Sequence, residues 1–336
     1  MILHPGILAL LGGSLLSVLL LIKASGLGLT ILLRWDGTSS SEQQLALEHK
    51  TWLISSLLNA GLGFQIVSGV LFLATVEAIH PLFVGAMCAT GTLNANLVGW
   101  LVLLVKGLLF FAAALWVIFN RLDQRSEDAP LLRPKYLALL LITPLAFLDL
   151  TLQYSFFSGL HPDIITSCCG SLFSEQGQSV LSELAALPPV TAMALFFPVI
   201  AIYYVLTLCC LRSQNALLRY LLFITVIVAF FIALAAIISF ISLYLYQMPS
   251  HHCPFDLLQA HYNYIGYPLY AGLFGGTLFG LLPGLAAPLQ HHPSLSAHID
   301  QLDRHWLWIS LIGMTVFLAI ALWPMLFAPF TLLRSG

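Results

Sequence analysis

The residues with the most chemistry to offer are cysteines and histidines gathered into three short connections. HPLFVGAMCATG contains His80 and Cys88, HPDIITSCCGSLF contains His161, Cys168 and Cys169, and MPSHHCPFD contains His251, His252 and Cys253. In the first two, a His-Pro pair is followed by six residues and a cysteine. Thiols in such numbers can pass electrons by thiol–disulfide exchange, which needs an attacking and a resolving sulfur that can meet. Thiolate and imidazole together also suit Cu(I) or Zn(II) better than hard cations. We therefore take Cys88, Cys168, Cys169 and Cys253 as candidate catalytic thiols, and His80, His161, His251 and His252 as candidate metal ligands. Plain stapling of loops is the competing use. Four cysteines allow three pairings, and the plainest links Cys88 and Cys253 to the two members of the Cys168–Cys169 pair. Cys209 and Cys210, in VLTLCCL, read as apolar filler.

A second set of residues stands out because its surroundings are so apolar. Lys106 sits midway along GWLVLLVKGLLFFAAALWVIF, Asp149 lies inside its own apolar stretch, and Lys23 occupies a similar place near the N-terminus. Charges at such depth are costly, so they are either paired or functional. We expect Asp149 to pair with Lys106 or Lys23. Lys106 and Asp149 are also candidates for binding a cofactor such as a quinone.

What must position these groups is a membrane-embedded bundle. The chain is 60% hydrophobic and 8% charged, with a mean hydropathy of +0.96, whereas a soluble domain is about a quarter charged. Apolar stretches of about 20 residues, the length that crosses a bilayer as a helix, recur along the whole sequence. The expected fold is all-α, a polytopic transmembrane helical bundle of about eight spans: roughly 6–33, 51–76, 97–120, 136–157, 188–211, 218–246, 264–289 and 305–332. Gly272, Gly276 and Gly280 fall four apart, which predicts close helix packing on one face. The segment QHHPSLSAH reads as a solvated loop. Lys and Arg occur in the connections after spans 1, 3, 5 and 7 and are missing from those after spans 2, 4 and 6. The positive-inside rule then puts the cysteine-bearing connections and both termini outside.

We read residues 1–336 as a single membrane domain, with duplicated helix pairs suggested around 51–120 and 136–211. A bacterial cytoplasmic membrane is the expected location. The plan resembles that of quinone-linked disulfide-generating membrane proteins, in which a helical bundle presents two cysteine-bearing loops outward. That resemblance implies a quinone cofactor and an exported thiol protein as partner. The chain has no CxxC, the usual dithiol spacing. The other readings kept open are a copper- or zinc-binding or transport protein, with a metal-carrying partner, and a non-catalytic anchor within a larger complex. The lipid bilayer is the partner common to all three. Nucleic acid is not expected, since Lys and Arg are few and scattered. No Walker motif or CxxCH occurs.

Overall fold

A computed structural model describes residues 2–35, 41–126, 129–161, 166 and 187–330. Among these the regular structure is helical, and eight helices are long and apolar enough to cross a membrane. The chain divides into two compact units, residues 1–84 with 92–166, and residues 85–91 with 167–336.

In the first unit the long helices are α1 (Pro5–Arg34), α2 (Glu42–Ile79), α4 (Val98–Asp123) and α5 (Leu132–Ser158), and the one-turn α3 (Ala89–Leu93) straddles the division between the units. The long helices pack in a ring, α1 against α2 and α5, α4 against α2 and α5. The core joins Leu21 and Ala24 to Leu62, Leu109, Ala113, Tyr136 and Ala146. Leucines on the outer faces, such as Leu19, Leu104 and Leu141, stay exposed, as lipid-facing positions would. Short connections make neighbours antiparallel. One end of this unit therefore gathers the N-terminus of α1 beside Thr75 of α2. The other end brings Arg133 to within 3.4 Å of the Trp35 carbonyl.

The second unit repeats the same ring order with α6 (Pro189–Arg212), α7 (Ala216–Ala236), α9 (Gly266–Ala286) and α10 (Pro293–Phe327). Between α7 and α9 the chain continues through a π-turn, Ile237–Ile241, into the short α8 (Ser242–Tyr246). The glycine face of α9 meets α10 with the backbones almost touching. A Cβ on Gly276 would stand 2.9 Å from the Met314 nitrogen, and one on Gly272 would stand 2.7 Å from the Gly313 oxygen.

The apolar spans fall close to their expected places, with two differences in extent. The second helix begins at Glu42, so Lys50 lies inside it rather than in a connection. The last begins at Pro293, so most of the stretch read as a loop is helical. Both extensions are polar. Hydropathy marks where a helix enters lipid, but α2 is started by Ser41, whose hydroxyl accepts from the Gln44 N–H, and α10 by Pro293 in its first turn.

Candidate functional site

Two sites emerge, one in each unit. The first is a thiol centre in the second unit, built from the segment Gly85–Gly91 and the turn that follows α8. Gln247 adopts a left-handed conformation, φ 56°, and ends α8. The Met248 N–H then donates to the Leu243 carbonyl. The chain turns back so that His251, Cys253 and Asp256 fall together. A one-turn 3₁₀ helix, Asp256–Leu258, holds the carboxylate. Tyr246 fixes this turn from beneath, its hydroxyl donating to the Cys253 carbonyl at 2.6 Å and accepting from the Leu257 N–H at 3.1 Å. Tyr270 of α9 adds a hydroxyl bond to the Pro254 carbonyl, 2.6 Å. On the other side Gly85 has φ 86°, a conformation open to glycine, and Gln259 donates from its amide to the Met87 carbonyl at 2.9 Å.

The result is a close sulfur pair. Cys88 Sγ lies 3.6 Å from Cys253 Sγ, and both residues are fully buried. Cys253 Sγ is 3.5 Å from Asp256 Oδ1 and 3.3 Å from Thr90 Oγ1. The ligand atoms of Cys88, Cys253 and Asp256 all lie within 4.8 Å of one another. The second carboxylate oxygen, Oδ2, is 2.5 Å from His251 Nε2. Burial opposes ionisation of Asp256, yet hydrogen bonds from His251, Cys88 and Cys253, with the imidazole's charge, carry its carboxyl below the ordinary value. Neither 83–97 nor 247–265 contains Lys or Arg, and the side chain that meets the outer carboxylate oxygen is the His251 imidazole.

The second site is a buried polar tier in the first unit. Lys106 Nζ of α4 lies 3.1 Å from Asp149 Oδ2 of α5 and 3.2 Å from Ser68 Oγ of α2. Gln153 donates to the same carboxylate oxygen at 2.6 Å and to Ser14 of α1 at 3.0 Å. All four long helices of the ring thus contribute a side chain. Lys106 is 1% exposed and Asp149 0%, and each is the other's ion-pair partner among the described residues. Of the two lysines expected as partners for Asp149, Lys106 takes the place. Lys23 is exposed on α1.

The other candidates fall away from these sites or outside the description. His80 turns its Nδ1 to the Glu77 carbonyl at 2.5 Å and to the Glu77 carboxylate at 3.3 Å. His161 is exposed. His252 bonds the Ile238 carbonyl at 2.8 Å through Nδ1, a contact that anchors the turn to the π-segment. Cys168 and Cys169 lie outside the described residues. The loop-stapling arrangement expected Cys88 and Cys253 each to face that vicinal pair; in the structure these two sulfurs face each other. Sequence reasoning missed Asp256 altogether. Its signal was its position three residues after Cys253, in a connection with no other acid. The chain matches no family model, no curated protein and no solved structure.

Proposed function

We propose that this is an integral membrane protein whose chemistry is a thiol–disulfide couple formed by Cys88 and Cys253. The observation that supports it is the 3.6 Å approach of two fully buried sulfurs from segments 165 residues apart. A disulfide needs about 2 Å between sulfurs, so a modest shift of the turn completes the bond. Oxidation removes two protons and two electrons from the thiols. A quinone, dissolved in the surrounding lipid, takes both as it becomes a quinol. The disulfide is then reduced by a dithiol of an exported protein, whose own sulfurs become the disulfide. Asp256 and His251 stand beside Cys253, where a departing thiol proton needs an acceptor. In this reading the connections bearing Cys88 and Cys253 face the outside, opposite the basic connections.

Thiol trapping tests the couple. Reduced full-length protein in detergent is exposed to a short-chain quinone, then denatured in an alkylating reagent, and the Cys88 and Cys253 peptides are measured by mass spectrometry. Both thiols should disappear together and return with reductant. In Cys88→Ser, Cys253 should stay a thiol. Cysteines that stay reduced under oxidant, or stay oxidised under strong reductant, would rule out a working couple.

A further inference from the structure

We infer that the reduced form of this centre is a zinc site, with Cys88, Cys253 and Asp256 as ligands and His251 holding the carboxylate in place. The inference uses only the dithiol state of the couple proposed above and needs no turnover of it.

Distances carry the argument. Zinc holds thiolate sulfur at about 2.3 Å and carboxylate oxygen at about 2.0–2.2 Å, almost always tetrahedrally. Two sulfurs on one tetrahedral ion therefore stand about 3.8 Å apart, and a sulfur and an oxygen about 3.6 Å apart. The structure has 3.6 Å between the sulfurs and 3.5 Å from Cys253 Sγ to Asp256 Oδ1. The third separation, from Cys88 Sγ to the carboxylate, is within 4.8 Å, so the three ligand atoms already stand close to the spacing one ion requires.

Charge points the same way. Two thiolates and a carboxylate in one buried place would repel strongly, and the adjoining segments offer no Lys or Arg. A divalent cation offsets most of that negative charge, and each ion bound expels the two thiol protons it replaces. Asp256 is placed as a ligand rather than a bystander. One oxygen faces the sulfurs and the other is bonded to His251, the outer-shell arrangement that fixes a ligand's orientation. The carboxylate also selects among soft ions. Cu(I) favours sulfur and would gain little from an aspartate, whereas zinc accepts sulfur and oxygen together.

The test is a titration of reduced, metal-free, full-length protein with Zn²⁺ and separately with Co²⁺ and Cu⁺. One equivalent of zinc should bind, release two protons and shield Cys88 and Cys253 from alkylation. Cobalt at the same place should show a thiolate charge-transfer band and the intense visible bands of a tetrahedral ion. His251→Gln should weaken zinc by about 10- to 100-fold, Asp256→Asn should weaken it further, and Cys253→Ser should abolish the cobalt charge-transfer band. The shielding assay needs no variant, so it stands even if Cys253→Ser folds poorly. No stoichiometric uptake, zinc that leaves both cysteines open to alkylation, or copper binding that ignores Asp256→Asn would each overturn the assignment. Failure here alongside reversible thiol trapping would leave the redox reading standing, and the converse result would remove that reading alone.

Discussion

The two units share a ring of four long helices in the same neighbour order, yet they are fastened differently. The first is bridged by ion pairs. Lys106–Asp149 joins α4 to α5 within the span, and Lys135 meets Asp123 at 2.6 Å nearer the basic end. The second is closed by contact between backbones along α9 and α10, and Arg219 and Asp303 form a buried pair between α7 and α10. In lipid the usual apolar driving force between helices is weak, so helices associate through close packing and polar contacts. The first unit relies more on polar contacts and the second more on packing. The difference teaches that helix order alone does not dictate which interaction holds a membrane bundle.

Breaking the ion pair should have the largest effect. Lys106→Met leaves Asp149 buried at 0% exposure without its cation. Removing one partner of a buried pair costs roughly 3–5 kcal/mol, and it should show as a large fall in thermal stability of the detergent-solubilised protein. The double variant Lys106→Met with Asp149→Leu should recover much of the loss. If the double variant is as unstable as the single one, the pair is not what fastens the first unit.

A methyl group is the corresponding probe of the second unit. Gly276→Ala puts a Cβ 2.9 Å from the Met314 backbone nitrogen. Side-chain atoms do not absorb that clash, so α9 and α10 must separate. Overpacking of this kind costs roughly 1–3 kcal/mol. Gly275→Ala, one residue away and with open space at its Cβ, should be nearly neutral. Equal losses at both positions would mean that the close approach of α9 and α10 does not set the sensitivity, because the helix-propensity gain from Gly to Ala is the same at both.

Much of this was legible in the sequence, for reasons that differ by residue. The spans were visible because lipid demands about 20 apolar residues in a row. The glycine face showed itself because a spacing of four returns to one side of a helix. Lys106 and Asp149 stood out because charge is rare in such surroundings. Three things were hidden. The polar ends of α2 and α10 carry no hydropathy signal, since they are helical without being apolar. The partner of Cys88 could not be read because the two sulfurs are far apart in sequence and meet through a left-handed turn at Gln247. Asp256 was overlooked because a lone acid in a connection looks like an ordinary solvated residue until its 0% exposed neighbours, Cys88 and Cys253, are placed around it.

A single hydroxyl gives the smallest and most discriminating probe. Ser310 of α10 donates to the Gly276 carbonyl at 2.7 Å and lies 2.7 Å from the Tyr203 hydroxyl of α6. It therefore adds a polar tie where the second unit otherwise closes by packing. Ser310→Ala removes both bonds while keeping the small volume that lets α9 approach. Hydrogen bonds between membrane helices average about 0.6 kcal/mol, so two shared bonds predict a loss of about 1 kcal/mol, well below that of Lys106→Met. Combining Ser310→Ala with Gly276→Ala decides how the two fastenings relate. If the backbones are already forced apart, the serine can no longer reach, and the double variant should lose little more than Gly276→Ala alone. Strict addition would show that the hydroxyl and the glycine contact act independently. The same comparison between Ser310→Ala and Lys106→Met, in different units, should be additive, because the hydrogen bonds of the two residues share no partner.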